Sequence, residues 1–293
     1  MRSGVLTGGH LLGRRRDDTI VDERYYPSVT VPFNHQGGIV ILAVDVGNTH
    51  TVLGLFEGDR LGGHWRISTD ASLTADELRV KIGGLLQLEG LSWDDVRGVI
   101  VSSVVPQLTF AYETVTVDST GGKPRIVGPG LKTGMRIHYD NPHEVGADRI
   151  VNGIAAFKAY GGPVVVVDFG TATTIDVVAQ DGSYLGGAIA PGVETSAEAL
   201  FSRAARLSEV DLEAPDRVIG TNTRASVQAG LLLGEAAMVD GLVRRVHDEM
   251  GAKATVVATG GLARQMSALC ETIEHVDPDL TLRGLMLIWE LNE

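Results

Sequence analysis

The chain has 293 residues, enough for two domains with cores of ordinary size, and its 44% hydrophobic and 21% charged content is that of a globular protein. A formal net charge of −12 argues against nonspecific nucleic-acid binding. The single cysteine, Cys270, excludes an internal disulfide and fits a reducing cytoplasmic setting, and no apolar run approaches the roughly 20 residues that a membrane helix needs.

Residues 1–38 differ from the rest. They carry Arg14-Arg15-Arg16, Pro27, Pro32 and Gly37-Gly38 without sustained periodicity. They read as a disordered or non-native extension, and the short, glycine-broken apolar stretch before the arginines does not make a signal peptide. From Ile39 the pattern is strand, hairpin and strand to about Ser68. A helix opens at Thr74, where Thr74 and Glu77 are spaced as a capping box. An apolar strand follows at 99–105, ended by Pro106, then a short strand at 126–127 and a turn at Asp140-Asn141-Pro142. Gly146 opens a helix on which Ile150, Ile154 and Phe157 share one face. Gly161-Gly162-Pro163 separates this half from the next, giving domains at 39–160 and 161–293. The second half has strands at 164–169, 174–179 and 184–190, a long helix over 223–250, a strand at 255–258 meeting Gly260-Gly261, and a last helix over about 281–292. The alternation predicts an α/β protein with mixed sheets.

The two halves share a repeated segment. Residues 39–61 and 164–185 each run from a buried strand through Asp-x-Gly-(Asn/Thr) and hydroxyl residues into a second apolar strand. Two copies predict two related domains facing a common cleft. Gly lets a ligand approach the backbone, and the amides and hydroxyls of Asn48, Thr49, Thr51, Thr171, Thr173 and Thr174 suit phosphate oxygens. Asp45 and Asp168 would repel phosphate directly. With no lysine in either turn and no Gly-x-x-x-x-Gly-Lys-Ser/Thr anywhere, a cation such as Mg2+ is expected between them. The plainer alternative is that each Asp caps a hairpin turn.

Asp148 and Arg149 stand at a loop-to-helix junction. An Asp in a first helical turn is favoured by the dipole; an Arg there is not, which leaves a functional reading open. Thr223 reads equally as an N-cap of the long helix. His50 and His138 lack further His or Cys residues at zinc-ligand spacing.

Residues 40–293 resemble the type III pantothenate kinases, within the superfamily of acetate kinases, sugar kinases, heat-shock chaperones and actin. The matching segments are 45–52, Ser102-Ser-Val-Val-Pro106, Tyr139-Asp-Asn-Pro142, Gly146-Ala-Asp-Arg149, 168–174, Gly220-Thr-Asn-Thr223, Ala258-Thr-Gly-Gly261 and 280–285. The resemblance implies two duplicated ribonuclease-H-like domains, an actin-like ATPase fold, with ATP in the cleft between them. It implies phosphorylation of pantothenate to 4′-phosphopantothenate, the first step of coenzyme A synthesis, by a cytoplasmic homodimer whose substrate pocket lies near the subunit interface. In the residue assignments it implies, Asp45-Val46-Gly47-Asn48-Thr49-His50-Thr51-Val52 and Thr171 bind ATP, with Asp45 holding Mg-ATP. Asp168 binds a monovalent cation, K+ or NH4+. Asp148 is the catalytic base. Tyr139, Gly146, Ala147, Asp148, Arg149 and Thr223 bind pantothenate, and Gly260-Gly261 resembles an adenosine-binding turn. Another small-molecule kinase of the superfamily, or a nucleotide-binding regulator of the same fold, are the alternatives; Gly-Ala-Asp-Arg in its setting speaks against the first and the intact motifs against the second.

Overall fold

The computed structural model describes residues 39–204 and 210–293; the expected extension, 1–38, lies outside the described residues. The first half begins with an antiparallel meander of β1 (Val40–Val46), β2 (His50–Glu57) and β3 (Arg60–Ser68). β1 is buried on both faces except at Asp45, as its unbroken apolar run requires of a central strand. α1 (Ala75–Leu88) starts at Thr74. The Thr74 hydroxyl accepts from the Glu77 amide and the Glu77 carboxylate from the Thr74 amide, so the expected capping box forms. β4 (Val96–Ser103) returns parallel to β1. Pro106 is the first residue of α2 (Pro106–Thr120), where its missing N–H costs nothing. The two-residue β5 (Arg125–Ile126) pairs with β4, and α3 (Ala147–Tyr160) follows.

The second half repeats the plan: β6 (Val164–Phe169), β7 (Ala172–Val178), β8 (Tyr184–Pro191), α4 (Val193–Arg203), α5 (Thr223–Gln228), α6 (Gly234–Met250), β9 (Thr255–Thr259), α7 (Ala263–Ser267), β10 (His275–Val276) and α8 (Leu280–Leu291). The sheet orders are β3-β2-β1-β4-β5 and β8-β7-β6-β9-β10, so the hairpin trio and the parallel returns match strand for strand. This is the duplicated ribonuclease-H-like, actin-like architecture expected from the sequence.

Three features of the 223–250 helix differ from the expectation. The long helix over 223–250 is α5 and α6 joined through a π-helical turn at Ala229–Leu233. Its N-cap is Asn222, whose side-chain oxygen accepts from the Ala225 amide, so Thr223 is the first helical residue and not the cap. This run also meets the length and composition of a membrane span, with mean hydropathy 1.3 over its most apolar window, contrary to the sequence reading. The physical reason is burial: Leu232, Ala236, Val239 and Val243 form the core of the second half with β6, β7 and β9.

The last helix crosses back out of the 161–293 grouping. Leu282, Leu285, Ile288 and Trp289 of α8 pack with Ile41, Ala43, Phe56 and Ile100 of the first sheet. α3 crosses the other way, placing Ala155 and Ala156 against Val164, Val166, Val178 and Val257 of the second sheet. The two helices touch at Gly284, where a Cβ would overlap the Val151 carbonyl. This interlock brings the loops at the ends of β1 and β6 to face each other.

Candidate active site

The two repeated turns occupy equivalent places. In the first, the Gly47 amide donates to the His50 carbonyl at 3.0 Å; in the second, the Gly170 amide donates to Ala172 at 3.1 Å. Asp45 pairs in register with Val52 and Ser102, and Asp168 with Thr174 and Thr259. Across the cleft the turns meet: Thr49 Oγ1 lies 2.8 Å from Thr171 Oγ1. The cleft between them, about 250 Å³, is lined by Asp45, Gly47, Asn48, Thr49, His50, Val52, Asp148, Asp168 and Thr171 among the expected residues, with Gly260 and Gly261 at one side. Strand alternation explains two that are not there. Val46 is buried in the first core, and Thr51 is buried with its hydroxyl 2.8 Å from that of Thr69.

Four carboxylates line this cleft, Asp45, Asp148, Asp168 and Glu194, against one guanidinium, Arg66. Loss of hydration, and then the charges of Asp148 and Asp168, push Asp45 up to about 7. Desolvation, then Asp148 and Asp176, push Asp168 to about 7 as well, with the Asn152 amide and Arg66 working against the shift. Burial raises Asp148 too. Carboxylates crowded together in this way, short of positive partners, make the cleft acidic, although among the described residues no three His, Cys, Asp or Glu side chains converge as a ready-made metal site. Asp168 is held in place from behind: Asn152 Nδ2 donates to its Oδ2 at 3.0 Å, and Thr281 Oγ1 donates to Asn152 Oδ1 at 2.7 Å, linking α8, α3 and the second turn. Gly260 has φ +93, and a Cβ there would overlap Asp168 Oδ1, so only glycine permits this approach.

Asp148 sits in the first turn of α3. Its Oδ1 accepts from the Arg149 amide at 2.9 Å, and the residue lines the cleft. Gly146 does not line the cleft; a side chain there would overlap Asp148 Oδ1, so its part is to leave the carboxylate room. Ala147 packs against the core beneath the first sheet. Arg149 is buried. Its Nε donates to Asp176 Oδ1 at 2.7 Å, and Asp176 also accepts from Tyr184 Oη at 2.7 Å and Thr174 Oγ1 at 2.8 Å. Arg149 Nη2 is buried with no hydrogen-bond partner among the described residues. Tyr139 stands over this network, its ring centroid 6.4 Å from that of Tyr184. Thr223 lies elsewhere, in a surface depression with Leu200, Asn222 and Leu231.

Site residues not singled out from the sequence include Arg66, Asn152, Asp176, Glu194 and Thr281. Asp176 left a signal, since an acidic residue inside an apolar strand needs a buried partner. Arg66, Asn152 and Thr281 left none, because their roles depend on elements far apart in sequence.

Comparison with known proteins shows the family. The type III pantothenate kinase family model matches residues 41–245. A type III pantothenate kinase from Moorella thermoacetica is 50% identical over 253 residues, covering 86% of this chain and all of its own length. One from Geobacillus kaustophilus is 50% identical over 86% of this chain and 98% of its own. Among solved structures, a Campylobacter jejuni protein described as a Baf family transcriptional activator superposes with a TM-score of 0.54 at 17% identity, covering 86% of this chain and 98% of that one. A reductive activator for a corrinoid, iron-sulfur protein gives 0.53 at 12% identity over 89% and 61%. At those identities the likeness concerns the fold alone.

Proposed function

The chain belongs to the type III pantothenate kinase family, and from that premise we propose how its cleft performs the family's reaction. The enzyme transfers the γ-phosphoryl group of ATP to pantothenate, forming 4′-phosphopantothenate and ADP at the start of coenzyme A synthesis. The observation that carries the residue-level reading is the meeting of two equivalent acidic turns across one cleft that also holds Asp148.

In this reading the phosphates of ATP lie between the turns at 45–52 and 168–174, against the hydroxyls of Thr49 and Thr171 and the backbone amides of the turns. Asp148 orients the primary hydroxyl of pantothenate and takes its proton on the carboxylate. The hydroxyl oxygen bonds to the γ-phosphorus as the bond to the β–γ bridging oxygen breaks, and ADP leaves with that electron pair. Phosphoryl transfer asks mainly for position and charge, so Asp148 contributes as an aligned acceptor. Asp45 would hold Mg2+ with ATP, and Asp168, braced by Asn152, would hold K+ or NH4+. When bound, such ions supply the positive charge that the transferring phosphoryl group requires.

Arg149 binds the pantothenate carboxylate. The unpartnered Nη2 supports this, because Asp176 fixes the guanidinium through Nε and leaves that donor for a ligand. Tyr139 beside Tyr184 forms the adjoining wall. Thr223 reaches the site in a homodimer. The support is exposed apolar surface on the edge strand β8, at Ile189, and on the segment leading to Thr223, at Val218 and Ile219. The enzyme is cytoplasmic, as its single cysteine allows.

The test is ADP release coupled to a reporter reaction, with and without pantothenate. The reading expects pantothenate-dependent release; release at the same rate without pantothenate contradicts it.

A further inference from the structure

Arg66 lies on β3, the edge strand of the first sheet, in register with Val52 at the cleft wall. Among the described residues it is the only lysine or arginine that lines the cleft. It forms no ion pair or hydrogen bond there, although Asp45, Asp148, Asp168 and Glu194 share the space. Its guanidinium reaches across to the second half: a Cβ on Gly261 would stand 2.6 Å from Arg66 Nη1. Its charge also acts on Asp168 of the opposite turn. Arg66 thus comes from one sheet and ends between the Gly260-Gly261 turn and the acidic turn of the other.

We propose that Arg66 is a nucleotide-binding residue that grips the phosphate chain of ATP between the Gly260-Gly261 turn and the paired acidic turns, closing the two halves on the nucleotide. The inference rests on the kinase reading of the cleft. An ATP whose γ-phosphate meets Asp148 and whose nucleoside meets Gly260-Gly261 must carry its phosphates past Arg66. The cleft is otherwise acidic, so a free planar fork of donors is the one side-chain cation available to phosphate oxygens. Arginine suits this because its fork pairs two oxygens at once and stays charged at every working pH. An exposed side chain with no hydrogen-bond partner among the described residues also breaks no such bond when it is redirected. This answers the lack of lysine in either turn: part of the compensating charge arrives from a strand that the repeat does not include.

The test uses the full-length protein with magnesium present. ADP and adenosine binding are measured by calorimetry for the unsubstituted protein, Arg66→Ala and Arg66→Lys, and KM is measured for ATP and for pantothenate. Arg66→Ala is expected to weaken ADP by about 10- to 100-fold, as loss of a charged hydrogen-bond donor does. Adenosine binding and the pantothenate KM should stay within about twofold, and Arg66→Lys should recover part of the ADP affinity. Unchanged ADP binding in Arg66→Ala, an equal loss for ADP and adenosine, or a rise confined to the pantothenate KM overturns the inference while leaving the kinase reading intact. Failure of the unsubstituted protein to bind ADP overturns both.

Discussion

Replacing Asp176 tests the link between the buried interior of the second half and the proposed substrate pocket. Asp176 is fully buried and Arg149 is 6% exposed. The carboxylate accepts three hydrogen bonds, from Arg149 Nε, Tyr184 Oη and Thr174 Oγ1, all between 2.7 and 2.8 Å. Burial raises its pKa, and the Arg149 charge is the largest influence opposing that rise. Asp176→Ala therefore strands a buried guanidinium whose Nη2 already lacks a partner. Removing one member of a buried ion pair costs about 3–5 kcal/mol. For a chain of this size, each kcal/mol lowers the melting temperature by about 2–4 °C, so a fall of roughly 6–20 °C is expected. Asp176→Asn keeps the shape and an acceptor oxygen but loses the charge, so it should lose about half as much. Tyr184→Phe removes one neutral donor to a charged acceptor and should cost about 1.5–3 kcal/mol. The three substitutions share partners, so their effects should not add when combined. Thermal melting followed by circular dichroism measures all of them, and the pantothenate KM should rise in Asp176→Asn because Arg149 loses its anchor. A melting temperature for Asp176→Ala within about 2 °C of the unsubstituted protein would refute this account of the network.

Asp148→Asn should retain ATP binding while turnover falls by about 10²–10⁴-fold, the usual contribution of a general base, and a titration calorimeter with the coupled assay separates the two. Asp45 and Asp168 are both raised to about 7 from 3.8, so the folded protein holds more protons than the unfolded chain between those values. Ligand-free stability from these groups should fall as pH rises from about 4 through 7, and Asp168→Asn should flatten that slope in melting curves taken across the range. Magnesium added near pH 7 should release protons, detected as a heat of binding that depends on the buffer's ionisation enthalpy. Activity in potassium or ammonium should exceed that in sodium alone; equal rates would remove the proposed cation from Asp168.

Much of this architecture is legible in sequence because it is local. The strand runs, the Thr74–Glu77 capping box and the repeated Asp-x-Gly turns each depend on residues within a few positions of one another. The duplication carries further, since two copies of one hairpin imply two sheets of one order. What escapes is set by distance or by competition. The crossing of α8 onto the first sheet depends on contacts such as Trp289 with Gly98, nearly two hundred positions apart. Asn222 outcompetes Thr223 as a cap because its side chain reaches the Ala225 amide, a choice that adjacent polar residues do not announce. The π-helical turn at Ala229–Leu233 keeps a helical apolar pattern and so reads as uninterrupted helix. Of the site, the two turns and Asp148 stand out by pattern, whereas Arg66, Asn152 and Thr281 acquire meaning only when three distant elements converge.

The central claim is that this cleft moves a phosphoryl group onto pantothenate. The most direct measurement incubates the protein with ATP and pantothenate and identifies the products by mass spectrometry and phosphorus NMR. The account predicts 4′-phosphopantothenate and ADP in equal amounts, with neither formed at an appreciable rate by Asp148→Asn. ADP accompanied by inorganic phosphate with unmodified pantothenate, or no consumption of ATP at all, would contradict it.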